Sequence, residues 1–387
     1  MLCLEVAAAA IWVYAIGAAL ADRRLCRRLR VRCGPQSASV AEGLPLVSIV
    51  VPMRNESRNV TAWTRAACAQ LDVPVEILIA DDDSTDDTVT QACREAAADR
   101  RVDVVSCPPP PAGWVGKPWA AYIGARKSKG AWLLFSDADM RMEKRTVALA
   151  LSAAQESGAD AISLTATLEA GTAWESIVLP AMASLIATGF PLFAIHDSAS
   201  QVGLMWGGFI LVRREAYFRC GGHAAVRSEI AEDRALAERL KAFGYRIRLF
   251  DGSMLVRVRM YHGFAEMWEG WRKNLYEGVR RNPILAAAFI AAIAAAMVMP
   301  LPLVGALLVV HERRGWKLRE RTLAGLCAFG VGAALVVRAL RDPAVGARSP
   351  AILGTPVAGA FIAAVMAASA WRTLSGRGQT WKDRTIL

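Results

Sequence analysis

The sequence predicts an α/β domain on a mostly parallel sheet, with transmembrane helices at both ends of a 387-residue chain. Three observations carry that expectation. From Leu46 onward, apolar runs of strand length alternate with helical stretches, the pattern of a parallel sheet covered by helices on both faces. Leu2 to Ala21 is almost wholly apolar, and about 20 such residues cross a hydrocarbon layer of ~30 Å. The hydrophobic fraction of 54% exceeds that of ordinary soluble domains, and its excess lies at the two ends.

Residues 1–21 read as an uncleaved anchor broken only by Glu5, because a cleaved leader begins with positive charge and here the charge follows the apolar run. Arg23, Arg24, Arg27, Arg28, Arg30 and Arg32 come directly after it, which places this end in the cytoplasm. Their position assigns the net charge of +11 to anionic lipid headgroups; no nucleic-acid-binding motif accompanies it. Residues 22–44 are read as a basic juxtamembrane linker. The eight cysteines form no Cys-x-x-Cys and lie in no His-rich cluster, consistent with reduced thiols in a cytosolic portion.

The domain read over 45–260 opens with Leu46 to Pro52, a β-branched strand followed by a helical stretch from Ser57 to Gln70. Val75 to Ala80 is a second strand, closed by Asp81 to Asp86, and Asp87 to Ala98 is helical with Ser84 or Thr85 able to cap it. Val102 to Val105 is a third, and Ala131 to Asp139 a fourth. Three of these strand ends carry acids or amides: Asn55 with Glu56, Asp81 with Asp82, and Asp137 with Asp139. Open α/β sheets bind ligands outside the carboxyl ends of their strands. Asp137 and Asp139, one residue apart in extended backbone, project on one side and can grip a hard cation such as Mg²⁺ or Mn²⁺. Taken alone, an Asp-x-Asp is also a solvated strand end, so its neighbours decide.

Between the third and fourth strands, Gly116-Lys117 is not a P-loop: the first glycine of that pattern would fall at Pro111 and its Ser/Thr at Pro118. Lys117 is either a point charge for a diphosphate or a solvated turn lysine. Thr146 to Ser157 is helical and Ala161 to Leu168 strand-like. Trp174 to Ala194, interrupted by Pro180, Gly189 and Pro191, is a core helix or a segment at the membrane surface. Gly207 and Gly208 open a strand that leads into a helix, and Ser228 to Phe243 is amphipathic with Glu232 and Asp233 at its start. Helix-dipole capping alone would also explain that acidic pair.

Residues 261–283 mix Trp268 and Trp271 with Arg272 and Lys273, as an amphipathic interfacial helix does. Residues 284–371 are a C-terminal transmembrane region holding the runs Ile284 to Val310, Thr322 to Val337 and Ala351 to Trp371, and 372–387 is a basic tail. Three simple crossings would put the basic loop His311 to Arg321 outside, against the positive-inside rule. The favoured alternative turns the first run back at Pro300 and Pro302 as a re-entrant hairpin, which keeps loop and tail cytoplasmic.

In order, Val51-Pro52-Met53-Arg54-Asn55-Glu56, Asp81 to Asp86, Gly116-Lys117, Ser136-Asp137-Ala138-Asp139, Gly207-Gly208-Phe209 and Glu232-Asp233-Arg234 resemble the inverting glycosyltransferases of family 2, over roughly Leu46 to Asn282. The resemblance implies the GT-A nucleotide-diphospho-sugar transferase fold. It implies that Pro52, Asn55, Glu56, Asp81, Asp82, Lys117 and Asp137 hold a nucleotide-sugar and that Asp137 and Asp139 hold the metal, Mg²⁺ or Mn²⁺. It also implies Asp233 as the base with Glu232 as its partner, and an acceptor side at Gly208 and the 268–273 segment. Asp83 departs from the small residue usual in the first cluster. Trp268-Glu269-Gly270-Trp271-Arg272-Lys273 replaces the Gln-x-x-Arg-Trp of processive synthases, so a single transfer is expected rather than a polymer. The anchor, the aromatic-basic segment and the Trp381-Lys382-Asp383-Arg384 ending resemble membrane-bound members acting on carotenoid- or hopanoid-type lipids.

The expectation is a cytoplasmic-facing, multi-pass cell-membrane enzyme moving one sugar from a UDP-sugar to a hydroxyl or carboxyl of a membrane lipid, with no nucleic-acid partner. The alternatives are a polysaccharide or polyprenyl-phosphate sugar synthase and, from another class, a non-catalytic nucleotide-binding membrane module.

Overall fold

The computed structural model describes residues 1–29, 43–347, 349–381 and 384–386. Most of the expected linker, with Arg30 and Arg32, and Lys382 of the tail lie outside the described residues. The chain divides into two units. One comprises Leu25–Glu169 and Leu192–Met260, and the other Met1–Arg24, Ala170–Pro191 and Tyr261–Leu387.

Among its described residues the first unit has ten strands: β1 Val47–Met53, β2 Val75–Asp81, β3 Val102–Ser106, β4 Trp132–Ser136, β5 Met140–Met142, β6 Ala161–Leu164, β7 Thr167–Leu168, β8 Phe209–Arg213, β9 Ile247–Phe250 and β10 Val256–Val258. Seven form one sheet in the order β3-β2-β1-β4-β8-β6-β9. It is parallel except at β8, which runs antiparallel to both β4 and β6. A smaller sheet of order β5-β10-β7 lies beside it. The strand-like stretch Ala161 to Leu168 therefore splits between two sheets, its first half on the large sheet and its last two residues on the small one.

Burial on both faces explains the unbroken apolar runs: Val47, Ile49, Val50 and Val51 of β1 and Leu133 and Leu134 of β4 are fully buried. The helix Gly116–Lys127 lies so close to β1 that a Cβ on Gly124 would sit 2.5 Å from Val50 Cγ1, which requires glycine there. Trp63, in the helix Val60–Cys68, is wholly buried and donates from its indole to Ser136 Oγ at 3.1 Å, which fixes the end of β4. The helix Thr88–Ala98 starts where the sequence places it, but neither Ser84 nor Thr85 caps it. Asp86 Oδ1 takes the Thr88 N–H at 3.0 Å instead, because Ser84 and Thr85 face the loop after β1.

Among the described residues of the second unit, three helices are long and apolar enough to cross a membrane: Leu2–Leu25, Leu318–Val345 and Ala351–Leu374. The expected run Ile284 to Val310 is broken into a helix at Pro283–Ile293 continuing through a π-helical turn at Ala294–Val298, and a second helix at Pro300–Arg314. The segment Pro283–Val298 also meets the preceding Phe264–Gly278 at a bend of 119°. Trp174 to Ala194 resolves into Ala173–Gly189, packed among these helices, and a short helix Leu192–His196 in the sheet unit.

Contacts along the first helix set its direction relative to Leu318–Val345. Trp12 lies 3.7 Å from the position of a Cβ on Gly330, and Asp22 pairs with Arg341 at 3.2 Å. Ascending positions meet ascending positions, so Leu2–Leu25 and Leu318–Val345 run parallel. Arg23 and Arg24 thus lie at one end of the bundle and the loop His311 to Arg321 at the other. The buried Arg341–Asp22 pair, at 3.2 Å, ties the two helices together at the first of these ends.

Candidate active site

The carboxyl ends of β1, β2 and β4 and the start of the helix Glu232–Ala242 carry the expected residues of the sheet unit. After β1, Asn55 adopts a left-handed backbone at φ 49° and Asp83, after β2, one at φ 58°, conformations that Asn and Asp tolerate better than other side chains. The two loops are laced together. Asn55 N–H donates to Ser84 Oγ at 3.0 Å, Thr85 N–H to Asn55 Oδ1 at 2.9 Å, and Arg54 Nη1 to the carbonyls of Asp82 and Asp83 at 2.7 Å each. Asn55, expected to contact the donor, spends its side-chain oxygen on this lacing, and Arg54 is a structural tie that the sequence did not single out.

Asp81 and Asp82 are both buried. Asp81 Oδ2 accepts the Ser84 N–H at 3.2 Å, whereas its Oδ1, also buried, has no hydrogen-bond partner. A buried carboxylate oxygen in that state asks for an external donor. Asp86 is held down at about 2: burial opposes ionisation, but hydrogen bonds from Thr88 and Ser57 outweigh it.

At the end of β4, Asp137 N–H donates to Gly208 O at 3.3 Å, so the Asp-x-Asp turn is registered on the start of β8. A Cβ on Gly208 would meet Met140 Sδ at 2.8 Å, so a larger residue there would have to displace the buried methionine. Lys117 joins the two acidic motifs: its Nζ lies 2.8 Å from Asp137 Oδ1 and 2.8 Å from Glu232 Oε1. Burial opposes its charge, yet the two carboxylates raise its pKa well above that of an ordinary lysine. With 41% of the side chain exposed, water screens these pairs, and the contact matters for geometry more than for stability.

Both oxygens of Asp233 accept main-chain donors, Oδ2 from Gly207 N–H at 3.0 Å and Oδ1 from Arg234 N–H at 2.7 Å. Burial and then the neighbouring Glu232 carboxylate push its pKa up to about 6, against the opposing pull of Lys117. A carboxylate in that range suits a general base near neutrality. His223 is buried with its Nδ1 2.9 Å from the Tyr217 hydroxyl, and burial pulls its pKa down to about 4, so the ring stays neutral near neutrality.

Asp137 and Asp139 offer hard oxygens suited to Mg²⁺ or Mn²⁺. Among the described residues no group of three or more His, Cys, Asp or Glu could hold a metal, so a cation at this pair would complete its shell with phosphate and water oxygens. The donor set fits such an ion. Trp268, Trp271, Arg272 and Lys273 belong to the helix Phe264–Gly278 of the other unit, where Trp268 stacks with Phe264 at 5.9 Å and packs edge-on to Phe361 at 5.6 Å.

Residues 48–221 match Glycosyl transferase family 2. The match covers the first five motifs and ends before Glu232. Curated relatives include the 4,4'-diaponeurosporenoate glycosyltransferase of Staphylococcus haemolyticus, 28% identical over 236 residues that make up 60% of this chain and 61% of that protein. The protein of the same description from Staphylococcus aureus strain MRSA252 is 26% identical over 247 residues, 63% and 64% of the two chains. The chain thus spans under two thirds of the length of these relatives. Among solved structures, a mannosyltransferase, PcManGT from Pyrobaculum calidifontis in complex with GDP-Man and Mn²⁺, is similar over 97% of this chain and 99% of that one, with a TM-score of 0.53 and 19% identity. The likeness bears out the GT-A fold.

Proposed function

We propose, on the premise that residues 48–221 form a glycosyl transferase family 2 domain, that the protein is an inverting, non-processive glycosyltransferase that moves one sugar from a UDP-sugar to a hydroxyl or carboxyl of a membrane lipid. The observation that carries the reading is Lys117, which draws Asp137 and Glu232 together at 2.8 Å each, from motifs 95 residues apart in the chain, with Asp233 beside them. The names of the curated relatives support a carotenoid-type acceptor.

Asp81, with its unmatched Oδ1, takes an N–H of the nucleotide base, and Pro52, Glu56 and Asp82 border the same loops. Lys117 meets the diphosphate as a point charge. Asp137 and Asp139 would hold the divalent cation, which supplies charge neutralisation for the departing diphosphate. Asp233 accepts the proton of an acceptor hydroxyl as its oxygen bonds to the anomeric carbon and the bond from that carbon to the diphosphate breaks. Attack on the face opposite the diphosphate inverts the centre. A positioned carboxylate of this kind contributes typically ~10²–10⁴-fold.

In this reading the protein is a multi-pass protein of the cell membrane with its catalytic domain in the cytoplasm, supported by the arginines that follow the first apolar helix. The test incubates membranes containing the full-length protein with a panel of labelled UDP-sugars, Mn²⁺ and lipid extract. Label in a single-sugar lipid supports the reading; label only in an insoluble polymer or in a phosphate-linked sugar supports a synthase instead. UDP binding without any turnover supports the non-catalytic module.

A further inference from the structure

We infer that Lys241 and Gly203 are positioning residues for Asp233: they fix the register of the segment Ala194–Gly207 along the helix Glu232–Ala242, and that register places the Gly207 N–H on the Asp233 carboxylate. The inference rests on Asp233 being the base proposed above.

Three contacts run along the helix. At its start, Gly207 N–H donates to Asp233 Oδ2 at 3.0 Å. Near its middle, Gly203 lies against main chain: a Cβ there would stand 2.6 Å from Glu238 N and 2.7 Å from the Ala237 carbonyl carbon. At its end, the ammonium of Lys241 donates to the carbonyls of Ala194, Ile195 and Val202 at 3.1, 3.0 and 2.8 Å. An ammonium has three donors, and three main-chain carbonyls take them.

Lys241 is only 7% exposed. Burying an ammonium is unfavourable unless its donors are all met, so an apolar side chain would serve mere core filling better. What lysine adds is a fixed distance to three carbonyls of one segment. From Asp233 to Lys241 the helix advances about 12 Å at 1.5 Å per residue. The segment is anchored independently to the sheet, through Trp206 N–H to Ser163 Oγ at 2.8 Å and Arg248 Nη1 to His196 O at 2.9 Å. The helix is therefore registered against a rail that cannot drift with it, and loss of the distal clasp frees the proximal contact.

The groups facing Asp233 are Glu232 on its own helix, Lys117 from the helix Gly116–Lys127 and Asp137 from the end of β4. None of them is altered by changing Lys241 or Gly203. A hydrogen bond to the ionised carboxylate favours that form, so losing the Gly207 bond raises the Asp233 pKa.

The test uses full-length protein in detergent without substrate. Difference infrared spectra against the Asp233→Asn variant isolate the carboxyl band of Asp233, and its midpoint is followed with pH. Lys241→Met and Gly203→Ala are expected to raise the midpoint by about one unit, and Lys241→Arg, which restores donors, to return it toward the parent value. Gly203→Ala keeps the test open should Lys241→Met not fold. An unchanged midpoint in a folded Lys241→Met or Gly203→Ala protein overturns the inference. Transfer retained in Asp233→Asn would instead remove the base assignment, and the infrared result would still decide whether the clasp exists.

Discussion

Replacing Lys117 by methionine isolates the electrostatic role of the residue that joins the two acidic motifs. Its Nζ stands 2.8 Å from both Asp137 and Glu232, and 41% of the side chain is exposed. Two unit charges about 4 Å apart interact by ~1 kcal/mol in water and ~4 kcal/mol at an effective dielectric of 20. The exposure sets the value near the lower figure, and ~1.4 kcal/mol is one pKa unit. The cation favours ionised Asp233, so its removal raises that pKa from about 6 by about one unit. The base acts ionised, and activity falls as pH drops through its pKa. At pH 6 the ionised fraction falls from about one half to about one tenth, a roughly five-fold loss, while near pH 8 this effect vanishes. Lys117→Met is to be assayed as kcat/KM against pH, with the UDP-sugar that supports lipid labelling. A lysine acting only on the diphosphate would lower the rate by the same factor at every pH. An acid limb left where the parent has it would refute the electrostatic argument.

Further outcomes follow from the same geometry. Asp233→Asn should lower transfer to a hydroxyl acceptor by ~10²–10⁴-fold but leave transfer to a carboxylate, which has no proton to lose, far less affected; equal losses with both acceptors would contradict a base role. Asp81→Asn should weaken UDP binding by ~10- to 100-fold in calorimetry, the value of a hydrogen bond to a charged group, and unchanged binding would show that its buried Oδ1 does not meet the base. A single cysteine placed at Trp316, in a background lacking the native thiols, should react with an impermeant reagent on the side opposite Arg23 and Arg24; reaction on the same side would contradict the parallel arrangement of the first helix and Leu318–Val345.

The strands were legible because two-sided burial writes itself as unbroken apolar runs, as in Val47–Met53 and Trp132–Ser136, and because each run stops at the polar residues of the candidate site. The helix Glu232–Ala242 was legible from its apolar face and acidic first turn, although the amphipathic pattern begins at Ser228, four residues before the helix. The antiparallel direction of β8 was not, since Phe209 to Arg213 reads the same either way and direction is set by its partners β4 and β6. The capping expected from Ser84 and Thr85 failed because local spacing does not reveal that Asn55, 29 and 30 residues earlier, claims both. Lys117 left two readings open for the same reason: its partner Glu232 is remote in the chain. The clasp of Lys241 was invisible, because a lysine near a helix end reads as a solvated residue favoured by the dipole.

The most direct measurement is the transfer of label from a UDP-sugar panel into lipid by membranes carrying the parent protein or its Asp139→Ala variant, with Mn²⁺ present. A single-sugar lipid from one donor is expected with the parent, and its loss with the variant. Polymer as the sole product, or undiminished lipid labelling by Asp139→Ala, would contradict that expectation.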